Sequence, residues 1–281
     1  IQVHSGQTMV IHITSVLLET ESFVHLMDDL ALVKLLGVRL VLVVSTRLQL
    51  ETRFAELGET PKYCGDYQVH DKFSLQLLKE VCGLARAEVE ARMSRSMRTP
   101  AGLGTSVNVV SGNFFYTARP IGVRNGIDFG YSGQVQRIDV EKVQNRLDAG
   151  DVVLLTALGY AASGRTYGVV SSSLATAVAA QLKASKLIWI TNGHRLVNLR
   201  GELVQSLRLS DARKLVQYYG LDEKDQPGCE IRSEPAWSRC ARNTTTSSVI
   251  NVCRHSIAAL EAGVPRAHLV SSVFGELLRE L

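Results

Sequence analysis

The most restrictive feature of this chain is the run Arg39-Leu40-Val41-Leu42-Val43-Val44, which carries no polar side chain after its first residue and is bounded by Gly37 and Ser45. A half-buried strand alternates apolar and polar residues; an unbroken aliphatic run demands apolar neighbours on both faces, the condition inside a parallel sheet covered by helices. Parallel strands need crossover helices, and the flanking sequence supplies one. Thr8 to Ile13 reads as a first strand, and Phe23, Leu26, Leu30, Leu32 and Leu36 follow at helical spacing up to Gly37. One strand–helix–strand unit is therefore complete by residue 44.

The alternation continues with a helix from Leu48 to Leu57, ended by Gly58, and a long one from Ser74 to Ser94 carrying Leu75, Leu78, Val81, Leu84 and Val89 on one side. Between Val107 and Ile138 the pattern changes to short β segments, Val107–Val110, Phe114–Tyr116 and Gln134–Ile138, with turn signals at Asn125-Gly126 and Ser132-Gly133. An antiparallel insertion is expected there. Asp139 then caps a helix to Leu147, Asp151–Leu155 reads as another buried strand, and Ser171–Lys183 as an alanine-rich helix. Leu187–Ile190 and Ala267–Val270, the latter after a helix from Val249 to Ala262, supply two more strands. The expected fold class is α/β with a doubly wound, mostly parallel sheet. The polar stretch from Asp222 to Thr246, with Pro227, Gly228 and Pro235, reads as a long loop.

Composition narrows the function classes. The chain is 46% hydrophobic and 21% charged, and no apolar run approaches the roughly 18 to 20 residues that span a bilayer, so no membrane span is expected. Net charge is +4, with the basic residues spread rather than clustered, so nucleic-acid binding is not indicated. Cys64, Cys82, Cys229, Cys240 and Cys253 form no C-x-x-C pair, which favours free thiols over a metal or redox motif. His12, His70 and His268 belong to different elements and are not expected to share a metal. Asp128 and Asp139 could pair as acid and base, but Asp139 has a ready role as helix cap. Gly102-Leu103-Gly104 is too short to be a pyrophosphate loop, and Ser111-Gly112 and Ser163-Gly164 do not make a nucleophile elbow.

The segments Val110-Ser111-Gly112-Asn113-Phe114-Phe115, Gly122-Val123, Asn125-Gly126-Ile127-Asp128-Phe129-Gly130 and Ser132-Gly133 through Arg137-Ile138-Asp139 resemble the amino-acid-kinase-type domain of N-acetylglutamate synthase. Leu35 to Val43, Leu147 to Leu155 and Leu158-Gly159-Tyr160 extend the resemblance, with details closest to the plant-type branch. The resemblance covers nearly the whole chain and implies a single domain over 1–281, a carbamate-kinase-like three-layer αβα sandwich around an open, mostly parallel sheet.

Set against the family's kinases, the residues that would hold phosphate are replaced. A glycine pair after the first strand, where only residues without Cβ let backbone N–H groups approach phosphates, is here Thr14-Ser15. The lysine ahead of it is His12, mostly neutral at pH 7. The glycine-rich substrate loop is Ser45-Thr46-Arg47, and the substrate-gripping arginine aligns with Gln68. Gly168-Val169-Val170-Ser171-Ser172-Ser173 offers no carboxylate for lysines or magnesium. No phosphoryl transfer, no metal and no cofactor are expected, and the kinase-type pocket is expected to be filled. Arg47 or Lys186 would have to supply the cation in any divergent kinase. The family's arginine-binding signature matches at His268 and Glu280, the latter as carboxylate partner of a guanidinium.

The resemblance implies a non-catalytic protein serving as scaffold or interaction subunit, in a homo-oligomer or a larger assembly, inside a plastid or mitochondrion. The alternative is the arginine-responsive regulatory domain of a working N-acetylglutamate synthase, an amino-acid N-acetyltransferase, whose transferase domain would follow Leu281 and is absent from this stretch.

Overall fold

The computed structural model describes residues 4–94, 97–98, 104–105, 107–193, 196, 202–219, 236–271 and 277, by backbone alone at 97–98, 104–105 and 236–247. In chain order the strands are β1 (Thr8–Ile13), β2 (Arg39–Val44), β3 (Lys62–Cys64), β4 (Tyr67–Val69), β5 (Met97–Arg98), β6 (Gly104–Thr105), β7 (Val109–Ser111) and β8 (Tyr116–Pro120). They continue as β9 (Val123–Arg124), β10 (Ile127–Asp128), β11 (Gly133–Ile138), β12 (Val152–Thr156), β13 (Leu158–Tyr160), β14 (Thr166–Gly168), β15 (Lys186–Thr191) and β16 (Ala267–Ser271). The helices are α1 (Glu21–Leu35), α2 (Arg47–Glu56), α3 (Lys72–Met93), α4 (Val140–Asp148), α5 (Ser171–Gln181), α6 (Leu209–Tyr218) and α7 (Ala236–Glu261).

Six strands form the central sheet in the order β16-β15-β1-β2-β12-β7, and every neighbouring pair is parallel. The aliphatic run of β2 shows why. Leu40 to Val44 are all fully buried. Alternation along the strand sends Leu40, Leu42 and Val44 to one face, among Phe23, Leu30 and Val33 of α1 and Val89 and Met93 of α3. It sends Val41 and Val43 to the other, among Val143 of α4 and Leu174 and Val178 of α5. Helices thus cover both faces, and the fold is α/β in three layers. Truncating a fully buried leucine in such a layer costs about 2–5 kcal/mol. Among the described residues no helix is long and apolar enough to cross a membrane.

The expected antiparallel insertion is present as a four-stranded sheet, β11-β8-β13-β14, with the hairpin β9–β10 beside it. Asn125 and Gly126 both have positive φ, 51° and 78°, the conformation a two-residue hairpin turn requires. Ser132-Gly133 is not a turn. Ser132 bridges to Gly168, and Gly133 opens β11 where a Cβ would meet that of Tyr167 at 2.7 Å. The glycine there serves close approach of backbones.

The polar stretch after Asp222 also differs from expectation. α7 begins at Ala236, so residues 236–246 are helical rather than looped, while 222–235 lie outside the described residues. The apolar stripe that marked this helix starts only at Val249; once a packed turn exists, extending it fixes one residue per hydrogen bond, and poor helix formers upstream can follow. Cys64, expected as a free thiol, is disulfide-bonded, whereas Cys82 and Cys253 are free and buried.

The β3–β4 hairpin is pinned to the insertion by side chain and backbone together. Ser132 Oγ donates to the Gln68 carbonyl at 2.6 Å and accepts from the His70 amide at 2.8 Å, and the Tyr131 amide donates to the His70 carbonyl at 2.7 Å. Gly130, at φ +55°, makes this junction possible, since a Cβ there would lie 2.5 Å from the His70 carbonyl oxygen. Gly130→Ala should therefore destabilise by about 2–4 kcal/mol, left-handed strain plus overpacking. Gly164→Ala, at φ +78° in open space, should lose only the conformational part, about 1–2 kcal/mol. Urea unfolding of the two variants side by side checks the difference, and equal losses would mean that the junction is not tightly packed.

Candidate functional site

In an open α/β sheet, ligands bind outside the carboxyl ends of the strands, where the chain reverses its direction of travel across the sheet. β1 is that point here: the chain moves from it to β2 on one side and later returns to β15 on the other. At this edge lies a pocket of about 230 Å³. Its walls come from the ends of β1 and β15 (His12, Trp189), the β2–α2 junction (Ser45, Thr46, Arg47), the β3–β4 hairpin (Tyr63, Asp66, Gln68), the β14–α5 junction (Gly168 to Ser172) and α7 (Asn251, His255). The pocket expected to be filled is open.

The segments that sequence reading marked as replaced kinase positions converge on this one space, with an exception. His12 lines it, its Nε2 3.0 Å from Ser171 Oγ and its ring 4.9 Å from that of Trp189. Gln68 lines it from β4. Thr14 and Ser15 do not. Thr14 has an ordinary extended conformation, φ −68° and ψ 145°, ahead of a short 3-10 turn over Ser15–Glu19, and Ser15 is buried with its carbonyl held by Gln49 Nε2 at 2.9 Å. This segment is a packed turn without the left-handed geometry that would call for glycine.

The histidines of the pocket are neutral. Burial pushes His12 down to about 3, with the neighbouring His255 adding to the fall. Burial likewise holds His70 near 4, against the pull of Asp71, and His255 near 4, with Arg254 helping and Asp66 opposing. Each has a hydroxyl partner that a neutral imidazole can accept from or donate to: Ser171 for His12, Ser74 for His70 at 2.6 Å, and Ser172 for His255 at 2.9 Å. The charged groups at the rim are paired. Arg47 Nε donates to Glu51 at 2.9 Å, Tyr63 Oη donates to the same carboxylate oxygen at 2.6 Å, and the Arg47 guanidinium lies over the Tyr63 ring. Asp66, on the β3–β4 turn, pairs with Arg254 of α7.

Other sequence candidates fall elsewhere. Lys186 sits at the opposite end of β15, level with Met9, where its Nζ is 3.5 Å from His4 Nε2, so it cannot serve this pocket. His268 is on the edge strand β16 beside Ile188, outside the pocket wall, and Glu280 lies outside the described residues. His12 and His70 do share the pocket; no group of three His, Cys, Asp or Glu suited to a metal occurs among the described residues. Asp128 accepts from the Gly130 amide at 2.9 Å and Asp139 from the Lys142 amide at 3.2 Å, both structural roles. Sequence reading missed His255, Trp189 and the Asp66–Arg254 pair. Trp189 had one usable signal, a single large aromatic in an otherwise aliphatic strand; His255 had none.

The three buried histidines carry a pH dependence. Their folded values lie below the unfolded 6.5, so between about 4 and 6.5 the unfolded chain binds more protons and stability falls as pH falls. Each contributes a slope of up to ~1.4 kcal/mol per pH unit in that window. The double variant His12→Gln/His255→Gln should flatten the urea-midpoint profile between pH 6.5 and 4 relative to the parent, and an unchanged slope would show that these rings are already charged or solvated.

Comparison with known proteins places this geometry. The model of the amino acid kinase family matches residues 7–270. An amino-acid acetyltransferase of Vibrio vulnificus is 32% identical over 282 residues, covering 100% of this chain and 60% of that protein. The corresponding protein of Serratia proteamaculans is 30% identical, at 100% and 59%. The chain thus spans about three fifths of the length of these relatives. Among solved structures, N-acetylglutamate synthase from Neisseria gonorrhoeae complexed with coenzyme A and L-arginine superposes with a TM-score of 0.84 at 31% identity, over 100% of this chain and 60% of that one. Giardia carbamate kinase shares the fold alone, with a TM-score of 0.60 at 12% identity over 98% of this chain and 96% of that one. The chain belongs to the amino acid kinase family.

Proposed function

We propose that this chain is the non-catalytic, arginine-responsive half of an N-acetylglutamate-synthase-type enzyme, with acetyl transfer from acetyl-CoA to glutamate carried out by a further domain of a longer protein. The observation that carries the first part is the electrostatic character of the pocket. Phosphoryl transfer is catalysed by cations that neutralise charge on the moving group. At the carboxyl ends of the strands this chain presents neutral His12, His70 and His255 instead, and its two rim arginines are engaged with Glu51 and Asp66. Similarity along the full chain to a synthase solved with arginine supports the second part. His268 on β16 and Glu280 are the residues that the family's signature assigns to arginine. The plant-type details of the sequence support an organellar setting, plastid or mitochondrion.

A second reading, a scaffold or interaction subunit within an oligomer or larger assembly, is favoured by the Thr14–Ser15 turn. There the phosphate-approach geometry is replaced by packing rather than left vacant.

Native protein isolated from its source separates the readings. On the regulatory reading, arginine at about a hundredfold its dissociation constant raises Tm by about 5–10 °C, the equivalent of about 2.7 kcal/mol, and His268→Ala reduces the shift. On the scaffold reading the protein arrives in fixed stoichiometry with unrelated subunits and ignores arginine. Formation of ADP from ATP and N-acetylglutamate in the presence of magnesium would sink both.

A further inference from the structure

Basic residues that are spread along the sequence are gathered in space by the antiparallel insertion. Residues 113–138 and 158–168 carry four arginines, Arg119, Arg124, Arg137 and Arg165, against a single carboxylate, Asp128. Three of the four converge on one face. β8 alternates, burying Tyr116 and Ala118 in the core beside Ile138 and exposing Thr117 and Arg119. Cross-strand partners share a face, so Arg137, level with Thr117, and Gln134, level with Arg119, stand on the outer side of β11. Arg124 reaches the same place from the β9–β10 hairpin, its Nη2 donating to Gln134 Oε1 at 3.3 Å. Asp128 is level with Val123 rather than Arg124, and so lies on the other side of that hairpin. Other surface arginines stand against carboxylates, Arg39 on Asp148, Arg53 on Glu56, Arg86 on Glu90 and Arg213 on Glu261. Among the described residues Arg119 and Arg137 have no such partner. Asp139, which feels the charge of Arg137, is held by Lys142 at 2.8 Å.

From this arrangement we infer that the outer face of the four-stranded sheet is a docking surface for an extended acidic segment of a partner protein. Charge sets the sign of the partner. Guanidinium groups placed side by side repel one another, and carboxylates brought between them remove that repulsion and accept paired N–H bonds. Spacing sets its shape. Arg119 and Arg137 are diagonal neighbours on adjacent strands, about 7–8 Å apart at the backbone. Side chains two residues apart on an extended chain repeat at about 7 Å, so alternate carboxylates of one segment meet both arginines. Thr117 and Tyr160, in line with Arg137 across β8 and β13, offer hydroxyls to the polar groups between the carboxylates. A nucleic acid fits less well. Single strands are bound by successive bases stacking on aromatic rings, and this face offers one ring, the half-buried Tyr160. The surface is as available to the regulatory half of an enzyme as to a subunit of an assembly, and so stands apart from both readings of the function.

The test titrates the full chain into a short fluorescein-labelled peptide of alternating glutamate and threonine, followed by fluorescence anisotropy at low salt. A peptide of alternating glutamine and threonine and an oligothymidylate of the same charge serve as controls. The glutamate peptide is expected to bind saturably, about tenfold or more tighter than the glutamine peptide, tighter than the oligothymidylate, and to be released by salt. Arg119→Gln/Arg137→Gln should weaken it about tenfold or more. Arg53→Gln/Arg86→Gln removes the same charge from α2 and α3, where both arginines are paired, and should change the affinity less than about twofold. The inference is overturned if the glutamate peptide shows no saturable binding, if the glutamine peptide binds as well, if the two double variants lose affinity alike, or if Arg119→Gln/Arg137→Gln, folded by circular dichroism, keeps the parent affinity. Tighter binding of the oligothymidylate would make the face a nucleic-acid surface and overturn the assignment as well.

Discussion

Burial of β1 and β2 on both faces is the constraint to which the rest of the structure answers. Apolar side chains that emerge alternately above and below a strand can leave water on both sides only if a layer of helices covers each side. α1 and α3 supply one layer, α4 and α5 the other. With the strands parallel, all their carboxyl ends lie at one edge, and the loops that leave those ends are the segments free to line a site. The pocket is a geometric by-product of the way the core is buried.

That geometry does not depend on which residues stand at the strand ends. Packing of β1 against β2 and β15 depends on backbone register and aliphatic volume, neither of which requires a lysine or a glycine pair at the strand end. Burial also acts on the residues that line the strand ends. An imidazole surrounded by hydroxyls and an indole sheds its proton, because a charge there would be poorly solvated. His12, His70 and His255 are thus kept neutral by the enclosure that the sheet imposes.

The rim is tied across the pocket by contacts between elements far apart in the chain. Asp66 on the β3–β4 turn meets Arg254 on α7, and Ser132 clamps the end of the same hairpin to the four-stranded sheet. The exposed part of such a pair contributes little to stability by itself. Its effect is to fix the hairpin, and with it Gln68, relative to the strand ends.

Much of this was legible in the residues alone. β1 and β2 run from Thr8 to Ile13 and Arg39 to Val44 as the apolar runs indicated, because a strand buried on both faces writes its limits directly into composition. The Asn125-Gly126 hairpin and the Asp139 cap were readable because each uses a local rule, positive φ or a side chain reaching its own helix. His12 and Gln68, singled out through the family resemblance, both line the pocket. The three-residue strands β3 and β4, the helical start of α7 at Ala236 and the disulfide at Cys64 were not legible, since their stability comes from partners distant in sequence rather than from local pattern. The same holds for the pocket itself: its openness and its neutral histidines exist only after β15 and α7 have packed beside β1. The sequence by itself determined which strands would be buried; only the tertiary structure decided what surrounds the space at their carboxyl ends, because solvation and hydrogen bonding there depend on groups up to 188 residues apart, as Asp66 and Arg254 are.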